Sequence, residues 1–145
     1  MTEVSFHFNV VDRTDYTCRL VRKATRAGAS VVLAGPASAL QHFDRALWTF
    51  DELEFLPHLM PVPGQPVAER LRAATKVWLL SDASTAPQQD VLVNLGVDAL
   101  EGFESFAKVI EIVTPDEDDR GAARRRWKHY ESRGYAIEQH DRATS

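Results

Sequence analysis

The chain predicts an α/β fold in three layers, with a mainly parallel sheet between helices. Two observations carry this. Short, nearly continuous apolar runs recur at 30–34, 76–80, 91–95 and 109–113, as in strands covered on both faces. Segments with apolar side chains at helical spacing stand between strand-like runs. That alternation implies right-handed crossovers and a parallel sheet.

Each element has its own signal. Residues 4–10 (VSFHFNV) alternate apolar and polar, the period of a half-buried strand, with His7 on the polar side. Residues 15–27 form a helix with Leu20, Val21, Ala24 and Ala27 on one stripe, and Gly28 follows where a helix end favours glycine. The strand 30–34 runs into a Gly35-Pro36 turn, and residues 37–48 repeat Leu40, Phe43 and Leu47 at helical spacing. From 49 to 74 the pattern breaks. Pro57, Pro61, Pro63, Gly64 and Pro66 exclude a long helix or central strand there, leaving a long excursion with a short strand at Phe55-Leu56.

Strands at 76–80 and 91–95 flank a polar turn, a short helix covers 100–108, and 109–113 is the last strand. The final helix opens on Thr114-Pro115-Asp116-Glu117, read as a capping box with Thr114 at the cap and proline at the first position. Acids at 116–119 meet the positive end of the helix dipole, and basic residues follow. The polar tail past about residue 136 is expected to fray.

The totals bound the function. Residues 1–145 suffice for one domain with a real core, and 44% hydrophobic with 26% charged residues fits a globular chain. A formal charge of −4 argues against broad binding to nucleic acid, because phosphate neutralisation needs a dominant basic surface. A single cysteine, Cys18, excludes an internal disulfide and agrees with a reducing cytoplasm. No apolar run approaches the roughly 18 residues of a membrane span, and the N-terminus has no signal-peptide pattern. A cytoplasmic protein with no membrane contact is expected.

Catalytic hardware is missing from the pattern. The turn after the first strand reads VDRTD rather than GxGxxG, and no glycine-rich loop carries a Walker lysine. The Gly35 turn is a weak candidate for a helix N-terminus facing an anion. Five scattered histidines show no metal-ligand spacing, Cys18 reads as a core residue, and Asp44 and Asp82 have no identifiable acid or base partner. Neither cofactor nor metal is expected. The alternatives are an α/β nucleotide- or phosphate-binding enzyme using the Gly35 turn, or direct binding of single-stranded DNA by the basic helix.

Two surfaces look used. On an ideal helix Arg120, Arg124, Trp127 and Glu131 fall within about 60° of one another, while Ala122, Ala123, Arg126 and Tyr130 point elsewhere. Trp127 is thus expected on a basic, partly exposed face beside Arg124 and Lys128, with Val113 as a floor. An apolar slot ringed by cations suits an acidic peptide with a hydrophobic end. The second surface is Trp48, one residue off its helix stripe, with Phe50, Leu53 and Phe55 after it.

The opening VSFHFNV, then FDRALWTFDELEFLPH, VLVNL and FAKVIEIVTPDEDDRGAARRRWKHYESRGY, in this order and spacing, resemble the chi subunit of bacterial DNA polymerase III holoenzyme along nearly the full chain. The resemblance implies a Rossmann-like fold without a nucleotide, acting as a non-catalytic adaptor of the clamp-loader assembly in DNA replication. It implies two partners: the acidic, phenylalanine-ended C-terminal tail of single-stranded DNA-binding protein, and the psi subunit. The tail-binding residues then correspond to Val113, Arg120, Arg124, Trp127 and Lys128, and the psi-facing aromatics to Trp48 and Phe55. Trp127 stands where the family has tyrosine, and Arg120 where it has lysine. Glu131 stands where arginine is expected, which implies weaker tail binding or a shifted register.

Overall fold

Strands that are apolar on both faces need cover on both faces, and that requirement organises the molecule. The computed structural model describes residues 2–50, 57–61, 65–97 and 102–142. In chain order these contain β1 (Glu3–Phe8), α1 (Arg13–Arg26), β2 (Val31–Ala34), α2 (Ala37–Thr49), β3 (His58–Leu59), α3 (Glu69–Ala74) and β4 (Val77–Leu80). Then follow β5 (Val91–Asn94), β6 (Lys108–Ile112), α4 (Glu117–Ser132) and β7 (Ile137–Asp141). The strands form one seven-stranded sheet in the order β3-β4-β2-β5-β6-β1-β7, and every pairing is parallel.

Pleating divides each central strand between two cores. Val31, Leu33, Val77, Leu79, Ile110 and Ile112 pack with Cys18 and Val21 of α1 and Leu40, Phe43 and Leu47 of α2. Val32, Ala34, Trp78, Leu80, Val4 and Phe6 pack on the other face with Phe103, Phe106, and Ala123 and Tyr130 of α4. The three-layer α/β architecture is therefore as the sequence predicts.

Several expectations are corrected. Residues 137–141 do not fray. The chain reverses at Gly134, whose φ is 84°, and Ile137–Asp141 pairs with β1 from Val4↔Ile137 to Phe8↔Asp141. The strand was hidden because β7 is an edge strand whose side chains are exposed or only half buried, so it carries no apolar run. Of the helix expected at 100–108, the described residues from 102 hold a 3₁₀ turn at Phe103–Ser105, which buries Phe103, and β6 starts at Lys108. The late part of the 49–74 excursion holds α3, which has no buried residue and hence no apolar stripe to reveal it. The short strand is at His58–Leu59; Phe55 and Leu56 lie outside the described residues.

The cap of α4 is also displaced from Thr114. Asp116 is the N-cap, its carboxylate accepting the Asp119 N–H at 3.1 Å. Thr114 instead gives its backbone N–H (2.7 Å) and hydroxyl (3.0 Å) to the Asp119 carboxylate, which also receives Arg13 from the start of α1. Burial pushes the Asp119 carboxyl up, but the Thr114 N–H, Arg13 and the Thr114 hydroxyl outweigh it and hold the group below the usual carboxylate range.

One polar cluster fixes how α4 lies on the sheet. Glu111, on the α4 side of β6, is wholly buried. Its Oε1 accepts from Arg126 Nε at 2.8 Å, and its Oε2 accepts from the Tyr130 hydroxyl at 2.7 Å and from Asn94 Nδ2 at 2.9 Å. Burial pushes the Glu111 carboxyl up, against the opposing pull of the Arg126 guanidinium and the hydroxyl and amide donors. Arg126 and Tyr130 are one helical turn apart, so both reach the same carboxylate. On the other face of β1, His7 is buried rather than solvated, its Nδ1 paired with the Tyr16 hydroxyl of α1 and its ring 4.8 Å from that of His140. Burial, then the positive charges of His140, Arg142 and Lys108, lower its pKa from 6.5 to about 4.

These contacts have measurable consequences. Glu111→Ala, which strands the Arg126 guanidinium, should cost about 3–5 kcal/mol in urea unfolding, and Tyr130→Phe about 1–2 kcal/mol. Asp119 has a depressed folded pKa, so its stabilisation is present near neutrality and lost as pH falls through that value. Asp119→Asn should therefore lower stability at pH 7 and flatten the acid limb of the stability curve below about pH 4. His7 is neutral in the fold while the unfolded chain takes a proton near 6.5, so stability should decline as pH falls from 6.5 to about 4. Histidine-ring NMR should find His7 still neutral at a pH where an ordinary histidine is charged.

Candidate functional site

The pleat of β1 sends Phe6 and Phe8 to the α4 face of the sheet. Beside them α4 lays down Arg120, Ala123, Arg124 and Trp127, a single i, i+3, i+4, i+7 stripe. Between the two is an open cavity of about 260 Å³, completed by Val113 at the end of β6, Gln139 of β7 and Asn9. Val113 and Ala123 are buried and form the floor, and Trp127 is half buried against Phe6 with ring centroids 4.9 Å apart. Arg120 and Arg124 are exposed and are the charged members of the wall.

The lip of the cavity is built from strand ends. Val113 N–H donates to the His7 carbonyl at 2.8 Å and Val10 N–H to the Val113 carbonyl at 3.0 Å, locking β6 to the end of β1. Asn9 turns the chain there with φ of 62°, a left-handed conformation that asparagine tolerates better than most residues. Its Nδ2 donates to Asp141 at 3.0 Å, tying the lip to β7. Glu131 is exposed and accepts from Trp127 Nε1 at 3.4 Å, so its carboxylate steadies the indole edge.

The structure thus brings Val113, Arg120, Arg124 and Trp127 together around one cavity. Lys128 is exposed on the same helix but lies outside the cavity wall. Sequence reasoning missed Phe6, Phe8, Asn9 and Gln139, and it turned Ala123 away from the cationic stripe, whereas at about 100° per residue Ala123 lies about 40° from Trp127 and lines the cavity. The alternation of β1 could have yielded the two phenylalanines. Gln139 had no signal, since its strand had none. The second predicted surface is at the opposite edge of the sheet. Trp48 is 56% exposed near the end of α2 and meets the ring of His58, on edge strand β3, at 4.9 Å. Phe55 lies outside the described residues.

The remaining candidates have structural roles. Cys18 is buried, which pushes its thiol up to about 11 and away from nucleophilic use. A Cβ at Gly35 would stand 2.9 Å from the Leu95 Cβ, so close packing explains this glycine without an anion. Asp82 caps the turn at Ala83–Thr85 through Ser84, and Asp44 approaches His58 at 3.3 Å. Among the described residues no three His, Cys, Asp or Glu side chains gather as metal ligands, and no helix is long and apolar enough to cross a membrane.

Comparison with known proteins bears on the whole chain. Residues 1–138 match the family model described as DNA polymerase III chi subunit, HolC. The DNA polymerase III subunit chi of Pseudomonas aeruginosa is 30% identical over 145 residues, covering 97% of this chain and 96% of the relative. That of Haemophilus influenzae is 26% identical over 125 residues, covering 85% and 83%. These matches show that the chain belongs to the chi subunit family of DNA polymerase III, accessory components of the replicative holoenzyme.

Proposed function

We propose that this chi-family chain is a non-catalytic adaptor whose α4 groove holds the acidic C-terminal tail of single-stranded DNA-binding protein, and whose Trp48 surface meets the psi subunit of the clamp loader. The observation that carries the reading is the composition of the groove: an apolar floor of Phe6, Phe8, Val113 and Trp127 beneath the exposed guanidiniums of Arg120 and Arg124. A peptide ending Asp-Asp-Asp-Ile-Pro-Phe offers the complement. Its terminal ring enters between Trp127 and Val113, and its carboxylates meet the two arginines, with Lys128 further along the helix.

Magnitudes divide the work. Exposed charge pairs contribute about 0.2–1 kcal/mol each, whereas burying one aromatic ring contributes about 1.5–3 kcal/mol. The ring therefore supplies most of the affinity, and the charges supply orientation and salt sensitivity, for an overall Kd in the micromolar range. Glu131, engaged with the indole Nε1, lies at the far end of the stripe from Arg120, so the tail's acids favour the Arg120–Arg124 end. The Trp48 surface lies beside edge strand β3 and the groove over β1, five strand intervals away or about 24 Å at ordinary strand spacing, which leaves room for both partners at once.

Calorimetric titration with that peptide should give micromolar binding that weakens as salt rises. Trp127→Ala should weaken it by at least about tenfold and Arg124→Ala by up to about fivefold, with the exposed Arg124→Ala leaving the unfolding midpoint within the range of surface substitutions. Removing the terminal phenylalanine should cost more than removing one aspartate. Unchanged affinity in both protein variants would overturn the reading.

A further inference from the structure

Helix α1 carries a second stripe of the same i, i+3, i+4, i+7 form: Tyr16, Arg19, Leu20 and Lys23. It faces the other side of the sheet from the groove, where it closes a pocket of about 300 Å³ against His7 of β1 and Arg142, the residue following β7. Three cations from two separate parts of the chain thus converge on one concavity, and among the described residues its wall contains no carboxylate. Asp15 holds Arg19 at its Nε edge, 2.8 Å away, from outside the wall.

The base of the pocket is organised by hydrogen bonds. Arg142 Nε donates to the Tyr16 oxygen at 3.1 Å, and Tyr16 pairs with His7 Nδ1. A guanidinium only donates, so the phenol oxygen accepts from Arg142 and its own hydrogen goes to His7 Nδ1. That relay ties the Arg142 side chain to α1 and β1 before any ligand arrives. Such positioning is what separates a site from a scatter of surface charges. Arg142 also contributes, after burial and His140, to keeping His7 neutral.

We propose that this pocket is an oxyanion site that takes a phosphate group between Arg19, Lys23 and Arg142. Inorganic phosphate carries between one and two negative charges at neutral pH and a phosphodiester carries one, and both accept hydrogen bonds in several directions, which matches cations arriving from a helix face and a strand end. The pocket is close in volume to the α4 groove but is lined by three cations and a phenol where the groove has an apolar floor, which suits an oxyanion better than the hydrophobic end of a peptide. The phosphate can come from free phosphate or from the phosphodiester of single-stranded DNA, and the test separates the two.

The full chain, isotopically labelled, is titrated with inorganic phosphate and separately with short oligothymidylate, at constant ionic strength set with chloride. The His7 and Tyr16 ring resonances are followed. Saturable shifts are expected with at least one probe, with a midpoint of about 1 mM or tighter. Phosphate saturation identifies the free ion, and saturation by the oligonucleotide alone identifies the phosphodiester. Arg19→Gln and Lys23→Gln, exposed positions that leave the Arg142–Tyr16–His7 relay in place, should each raise the midpoint by about fivefold or more, while Arg124→Ala should not move it. Non-saturating shifts with both probes, or midpoints unchanged in Arg19→Gln and Lys23→Gln, would overturn the proposal. Tail-peptide binding, measured in the same samples, is independent of either result.

Discussion

The carboxylate of Glu111 is the constraint around which the functional face is arranged. A wholly buried charge is costly, by several kcal/mol even after relaxation, unless its oxygens are met by donors. Here Asn94 comes from the neighbouring strand β5 and Arg126 and Tyr130 from α4. Satisfying that carboxylate fixes the rotation of α4 about its own axis. With Arg126 and Tyr130 turned inward, Trp127 is rotated by about 100° to the edge of the core, and Arg120 and Arg124 are left on the rim. A buried interaction that is weak evidence for stability thus has a clear role in orientation.

The same economy governs the acids. The chain has a formal charge of −4, yet its positive side chains gather on two helices. At the start of α4, Asp116 caps the helix and Asp119 joins Thr114 to Arg13, so these carboxylates tie the helix end to the rest of the fold. What remains on the exposed stripe of α4 is cationic until Glu131, and Glu131 is engaged with the indole. A negatively charged molecule can hold a negatively charged partner because the field that matters acts within about 10 Å at moderate salt.

Parallel topology explains where the surfaces lie. Strand β1 is flanked by β6 and β7, so its two faces look toward α4 on one side and α1 on the other. Phe6 and Phe8 therefore line the groove, while His7 between them faces Tyr16. One strand serves both concavities by alternation alone. Trp48, beside β3 at the far edge, is separated from both by the width of the sheet.

Much of this was legible in the residues. The central strands announced themselves because they are buried on both faces and so read as apolar runs. The stripe of α2 was legible because one helix face must be apolar, whereas on α1 only Val21 of the expected stripe is buried and Thr17 and Cys18 join it, because the buried face also takes small polar side chains that hydropathy does not mark. The stripe of α4 that carries Arg120, Arg124 and Trp127 followed from helical spacing alone. Strand β7 and helix α3 were not legible, since an edge strand and a surface helix bury too little to impose a pattern. Glu111 stood in plain view inside an apolar run, but its partners lie 15, 17 and 19 residues away, and spacing does not say which distant donors will meet a buried acid. The sequence by itself determined the elements whose own burial writes a periodicity, and the cationic stripe that one helix presents. Only the tertiary structure decided that Phe6, Phe8, Asn9 and Gln139 join that stripe, and that Arg142 meets α1, because these contacts come from parallel pairing of β1 with β6 and β7, which no local pattern encodes.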